Sequence, residues 1–355
     1  MADELADFPW RVDPGAYSWV MAEDPGTGRQ YPCLTAGLPA GPYFMLPQYR
    51  ETRIYQPLHD EPALFRTFAD TPPNIDGIGA FANKYGPLVG FNGTMTLQRP
   101  NGPVQIGTEE ASIWFENILE MRCLLDVVTM VNERPQDLER HFHWTSADRV
   151  VWVEDPTDAP EREKVITSPD HRPDLLAYVR PPDLRWPAYA FLQDSVNGKL
   201  VGTRRELDGE FLAFGGVTPA LLWDPSPNQH RRRSLGCLSL HLRPRDLLGA
   251  LWLQLAVAIA GNKQYRSCPV CGRWFELLSD SSRRPQRGKA TAGRASRFYC
   301  STSCRVTAYR RRKQEARSRH AAGESIDVIA CALDSDPETV RTWIELPRRG
   351  RRIKE

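Results

Sequence analysis

The chain has 355 residues, enough for two to three domains at roughly 150 residues each. An apolar fraction of 41% and a charged fraction of 25% are those of an ordinary folded protein and exclude wholesale disorder. The net charge of +2 hides a division: residues 263–355 carry 22 Lys+Arg against 10 Asp+Glu, leaving residues 1–262 with 24 against 34.

The opening segment MADELADF is acidic and lacks an apolar run, so no signal peptide is expected. Residues 61–69 and 75–85 read as short amphipathic helices. Residues 109–132 read as a longer one, with Ile113, Trp114, Ile118, Met121, Leu125, Val128 and Val131 at helical spacing. The runs at 150–154 and 200–216, and the segment around Trp186, read as strands. Residues 246–261 form a nearly all-apolar helix, expected at the centre of the core. Its run is shorter than the roughly 20 residues of a membrane span and contains Gln254. The mixture predicts an α+β, helix-rich N-terminal body.

Little in that body points to catalysis. His141 and His143 place two imidazoles on one side of a strand with no third ligand nearby in sequence. Gly77-Ile-Gly79 lacks the third glycine of a dinucleotide loop, and Asp170, His171 and Asp174 sit beside prolines as in a loop. Nucleophile elbows, Walker loops and HExxH motifs are absent. The expectation is no enzyme, with ligand sensing or self-association left to the body; an enzyme housed in the body is the second alternative. Trp114, Phe115, Trp144, Trp152, Trp223 and Trp252 suit a ligand pocket or core packing equally.

Of eight cysteines, four form two close pairs, Cys268/Cys271 and Cys300/Cys304. Two local pairs joined by one loop suit tetrahedral zinc, and four thiolates leave no open position, so one structural zinc ion is expected. After the first pair, GRWFELL reads as a strand whose Trp274 and Phe275 can cover the metal. Residues 279–296 read as an exposed hairpin loop, and RFYC (297–300) as the returning strand. Ser301 is a good N-cap for a helix running to Gly323. Cys331 reads as a small buried side chain rather than a fifth ligand.

The stretch CPVCGRWFEL…RFYCSTSCRVTAYRRR resembles a treble-clef zinc finger of the short bacterial type CxxCGxxF…YCSxxCRxxAYRxR. It is similar to the C-terminal finger of the CGNR family, bacterial proteins assigned to transcription regulation, in which such a finger follows a mostly helical domain. The resemblance covers about residues 263–320 and implies a DNA-binding regulator.

Residues 263–319 hold 16 cations and 3 acids. Arg305, Arg310, Arg311, Arg312, Lys313, Arg317 and Arg319 lie on the predicted helix. Arg283, Arg284, Arg287, Lys289, Arg294 and Arg297 lie in the preceding loop. Solvated faces usually mix signs, whereas near-uniform arginine suits a phosphate backbone, of DNA or alternatively RNA. A polybasic patch docking on an acidic protein partner is the competing reading.

Beyond Gly323, Ile326, Ile329, Ala330 and Leu333 mark a short amphipathic helix. Asp336-Pro337 starts a second, with Val340 and Ile344 inward. The pair resembles a helix-turn-helix, which implies that Thr339, Arg341 and Thr342 face a major groove. The tail from 348 is basic. The expected organisation is an acidic α+β body (1–262), a zinc finger (263–322), a helix-turn-helix-like pair (323–347) and a basic tail (348–355). The expected protein is cytoplasmic, bound to no membrane, and binds DNA. A small-molecule effector or homo-oligomerisation would belong to the body.

Overall fold

The computed structural model describes residues 8–12, 17–23, 27–36, 53–91, 93–99, 102–146, 149–153, 163–167, 184–207, 210–224, 237–277 and 298–345. The chain divides into two compact units, 1–262 and 263–355. Its make-up is α+β, with helices and small antiparallel sheets. No described helix is long and apolar enough to cross a membrane.

Among the described residues the α-helices of the first unit are α1 (Pro57–Asp60), α2 (Leu64–Ala69), α3 (Ile75–Tyr85), α4 (Ala111–Glu133), α5 (Arg185–Val201) and α6 (Leu247–Ala260). A four-stranded antiparallel sheet runs in the order Tyr17–Glu23, Gln30–Ala36, Gly102–Glu110, Gly93–Arg99. Phe142–Ser146, Arg149–Val153 and Glu163–Thr167 form a three-stranded sheet. Two hairpins join Thr203–Leu207 to Glu210–Phe214 and Val217–Asp224 to Cys237–Pro244. α6 is apolar all round because it is covered all round: it packs on α2 and α5, and Leu247, Leu251, Trp252 and Leu255 are fully buried. Its one amide, Gln254, is matched inside the core. Oε1 accepts from Phe65 N at 3.1 Å, and Nε2 donates to the carbonyls of Pro57 and Glu61, both at 2.8 Å.

Three expectations for this unit change. The helix read over 61–69 is formed over Leu64–Ala69. The segment around Trp186 belongs to helix α5, because Pro187 falls in the first turn, where its missing N–H breaks no bond. The long helix starts at Ala111, and Glu109 belongs to the preceding strand, which runs to Glu110. Its carboxylate turns inward and accepts from Leu88 N, Val89 N and Trp114 Nε1. Burial raises it to about 7 against the pull of those donors. Asp246 caps α6 in a similar setting, accepting from Gly249 N at 2.8 Å and Gly215 N at 2.6 Å, and burial raises it to about 6. A Cβ at position 249 would meet the Gly216 carbonyl oxygen at 2.2 Å, so this close approach requires glycine.

In the second unit Gln264–Ser267 pairs with Trp274–Leu277. There follow α7 (Thr302–Ala321), α8 (Ile326–Ala332) and α9 (Pro337–Glu345). The strand expected at RFYC is not formed over 298–300; the partner of Trp274–Leu277 lies before the first cysteine pair instead. Ser301 caps α7 by accepting from Cys304 N at 3.2 Å, and Asp336 caps α9 by accepting from Thr339 N at 2.8 Å. α7 ends in a Schellman turn on left-handed Gly323 (φ 92°), with Glu324 N bonding Arg319 O and Gly323 N bonding His320 O. α8 ends the same way with Asp334 (φ 48°) in the glycine's place, Ser335 N bonding Ala330 O and Asp334 N bonding Cys331 O. Ala316 of α7, Ile329 and Ala330 of α8, and Val340 and Trp343 of α9 form one small core. The last two helices therefore fold on the end of α7 rather than as a separate piece.

Candidate metal centre and basic helix

The turn Cys268-Pro-Val-Cys271-Gly272 is closed by Gly272 N bonding Cys268 O at 2.8 Å and Cys268 N bonding Arg273 O at 2.9 Å, with Gly272 left-handed (φ 71°). That turn lies between the two strands of the hairpin and presents both sulfurs. Cys300 precedes the Ser301 cap, and Cys304 occupies the first turn of α7. The four sulfurs lie within 4.8 Å of one another. Cys271–Cys300 and Cys300–Cys304 are 3.5 Å apart and Cys304–Cys271 3.6 Å. A tetrahedral ion with sulfur at about 2.3 Å requires sulfurs about 3.8 Å apart. The cluster can hold one metal ion.

Its electrostatics fit a cation. Burial acts to raise the Cys268 thiol, but the backbone N–H groups of Cys300, Val270 and Cys271 donate to its sulfur and bring it down to about 6. Burial, and the hydrogen bonds in which its S–H serves the neighbouring sulfurs, hold Cys300 up at about 12. Four sulfurs this close cannot all be anions without a positive charge among them, and the positive end of α7 adds to that charge. Phe275 is buried beside the turn and Trp274 half-buried. Cys331 lies outside the cluster and is exposed, not buried as its sequence setting suggests. Among the described residues no other group of His, Cys, Asp or Glu gathers as metal ligands, His141 and His143 included.

The basic residues separate into kinds. Arg305, Arg310, Arg311 and Arg312 are exposed and Lys313 half-buried. Arg317 and Arg319 are spent on the fold: Arg317 Nε donates to Trp343 O at 2.7 Å, and Arg319 pairs with Glu315 at 2.9 Å and Glu324 at 3.4 Å. Arg283, Arg284, Arg287, Lys289, Arg294 and Arg297 lie outside the described residues, as does the tail from 346. Among the helix-turn-helix residues, Arg341 bonds Glu338, Thr342 Oγ1 bonds Glu338 O, and Thr339 Oγ1 bonds Asp336. In the body, Trp114 and Trp252 are wholly buried packing residues.

Two features were not singled out from sequence. Trp343 pins α9 to α7, its Nε1 donating to Tyr309 Oη at 3.1 Å and its ring standing edge-on to Tyr309 at 5.7 Å. Residues 324–345 hold Glu324, Asp327, Asp334, Asp336, Glu338 and Glu345 against Arg341 alone. A charge count over that window alone would have revealed it. No family model, curated protein or solved structure matches the chain.

Proposed function

We propose that the chain is a zinc-stabilised, nucleic-acid-binding protein of the cytoplasm, and that its role is DNA-bound regulation of transcription. The first unit would then sense a small molecule or mediate self-association. The observation that carries this reading is the set of exposed guanidinium groups, Arg305, Arg310, Arg311 and Arg312, on a helix whose first turn is tied to the four-sulfur cluster. Tetrahedral all-sulfur ligation selects zinc among common structural ions, and four thiolates leave no position for substrate. A hairpin whose turn carries one cysteine pair, followed by a helix with the second pair at its start, supports the treble-clef resemblance, and through it the likeness to CGNR-type regulators.

Metal analysis of the full chain is expected to give one zinc per chain. Affinity for duplex DNA is expected to fall steeply with salt, with a log–log slope of about −4 if four to five phosphates are neutralised. Failure to bind at low salt, or tight binding indifferent to salt and to chelator, would overturn the reading. An adaptor for an acidic protein would lose all its DNA to heparin, whereas the nucleic-acid reading expects a sequence-preferring fraction to survive.

A further inference from the structure

We infer that the open face of the first three turns of α7, and not α9, reads base edges in the major groove of duplex DNA; this rests on the nucleic-acid reading above. Charge is the first ground. Residues 302–313 carry five cations and no acid, whereas 324–345 carry six acids and one arginine. A phosphate backbone brought against α9 would meet Glu338 and Glu345 within a Debye length of about 8 Å. The α9 groups suited to base edges are also bonded within their own helix.

Geometry is the second ground. Arg305, Tyr309 and Arg312 follow one another at i, i+4 and i+7, and Val306 and Arg310 form the adjoining line. All five are exposed. The half-buried positions Cys304, Thr307 and Ala308 occupy the other side of the helix, the side of the metal ligands, and Arg311 follows Cys304 and Ala308 along it. From Arg305 to Arg312 the open face runs along about 10 Å of helix, and a major groove about 12 Å wide admits a helix.

The mixture of side chains is the third. Val306 is 39% and Tyr309 47% exposed between arginines. Tyr309 already serves the fold by holding Trp343, whereas Val306 is an apolar side chain set among arginines. Arginine forks suit guanine O6 and N7, and a valine methyl suits the thymine methyl, so the face matches base edges as well as phosphates. Tyr309 is held in place by Trp343, and α7 is fixed at its start by Cys304 and at its end by the core around Ala316. A reader anchored at both ends meets the groove without reordering.

The test is selection by the full-length, metal-loaded protein from a random-sequence duplex library, followed by anisotropy titration of the selected duplex. Arg305→Lys keeps the charge and loses the fork. It is expected to weaken the selected duplex about 5- to 100-fold, to change the preferred base at one or two positions, and to leave a scrambled duplex within about twofold. Val306→Ala is expected to shift preference at one position. Arg341→Ala and Thr342→Ala are expected to leave the preferred sequence unchanged. A preference that follows positions 341 and 342, or that ignores 305 and 306, overturns the inference while DNA binding stands. No retention of any duplex at low salt overturns both. Equal metal content and circular dichroism across the variants separate these outcomes from misfolding.

Discussion

The first unit closes around apolar side chains, and the second closes around sulfur. Trp114, Trp252, Phe65, Phe68 and their neighbours give the body an interior deep enough to hold two carboxylates, Glu109 and Asp246, away from water. Among the described residues of the second unit the buried set is a handful around Trp343, together with Phe275 and Cys268. So small a core seldom supplies more than a few kcal/mol, and such domains commonly depend on a metal. One chain therefore holds two kinds of stability, and each has its own way to fail.

The largest effect is expected from removing the metal ligands. Ligation free energies of about 10–16 kcal/mol in small metal modules are also folding free energies. In Cys300→Ser with Cys304→Ser, or in excess chelator, residues 264–312 are expected to become protease-sensitive while the body still melts cooperatively. Limited proteolysis with mass analysis reads this directly. If both units melt together with unchanged midpoint, the contrast fails.

The converse comes next. Trp252 is fully buried in α6, and its Nε1 reaches Asn117 Oδ1 at 3.3 Å. Trp252→Ala is expected to destabilise the body by about 3–5 kcal/mol and to leave metal content at one ion per chain. Denaturant melts with parallel metal analysis check both halves of that statement.

The two carboxylates sharpen the comparison through pH. Glu109 is raised from 4.5 to about 7 and Asp246 from 3.8 to about 6. Between the unfolded and folded values the native state holds more protons, so these groups make the body less stable as pH rises from about 4 to 7, and the loss levels off above. For Glu109 alone the change is on the order of 3 kcal/mol. The metal centre responds in the opposite sense, because protons compete with the ion for thiolates. Denaturant titrations of the body at pH 5 and 8 are expected to show that slope, and Glu109→Gln to flatten it. An unchanged slope in the variant would remove Glu109 from the account.

Sequence legibility follows the same divide. The four cysteines, the Ser301 and Asp336 caps and the stop at Gly323 were readable because each is a local signal whose meaning does not depend on distant residues. Helix α3 was readable over its full extent, Asn74 accepting from Gly77 N where it begins. Tertiary choices were not. QYRS at 264–267 is too polar to announce itself as the strand that pairs with Trp274–Leu277, whereas the aromatic RFYC looks like one. Glu109 looked like helix because nothing local says that a glutamate will be buried under two backbone amides and an indole. The role of Arg317 was hidden because its partner comes from α9, whereas Arg319 pairs first with Glu315 one turn back on α7 and then with Glu324 in the turn after it.

The turn between α8 and α9 gives the smallest and most local test. A helix-turn-helix connection often contains glycine, and the turn over 333–336 has none. Asp334 takes the left-handed position itself at φ 48°, and both Schellman bonds form around it. Aspartate tolerates this conformation better than most residues with a Cβ, which pay about 1–2 kcal/mol there. Asp334→Gly removes the strain but gives the unfolded chain more freedom, worth about 0.4–1 kcal/mol in the other direction. The two nearly cancel, so the variant is expected within about 0.5 kcal/mol of the parent. Asp334→Val puts a branched Cβ in the same well and is expected to cost about 1–2 kcal/mol. Melting of the second unit, followed by the fluorescence of Trp343, ranks the three proteins. Valine equal to glycine would mean that the turn is not held in the left-handed form, and that the two last helices are not fixed against each other by it.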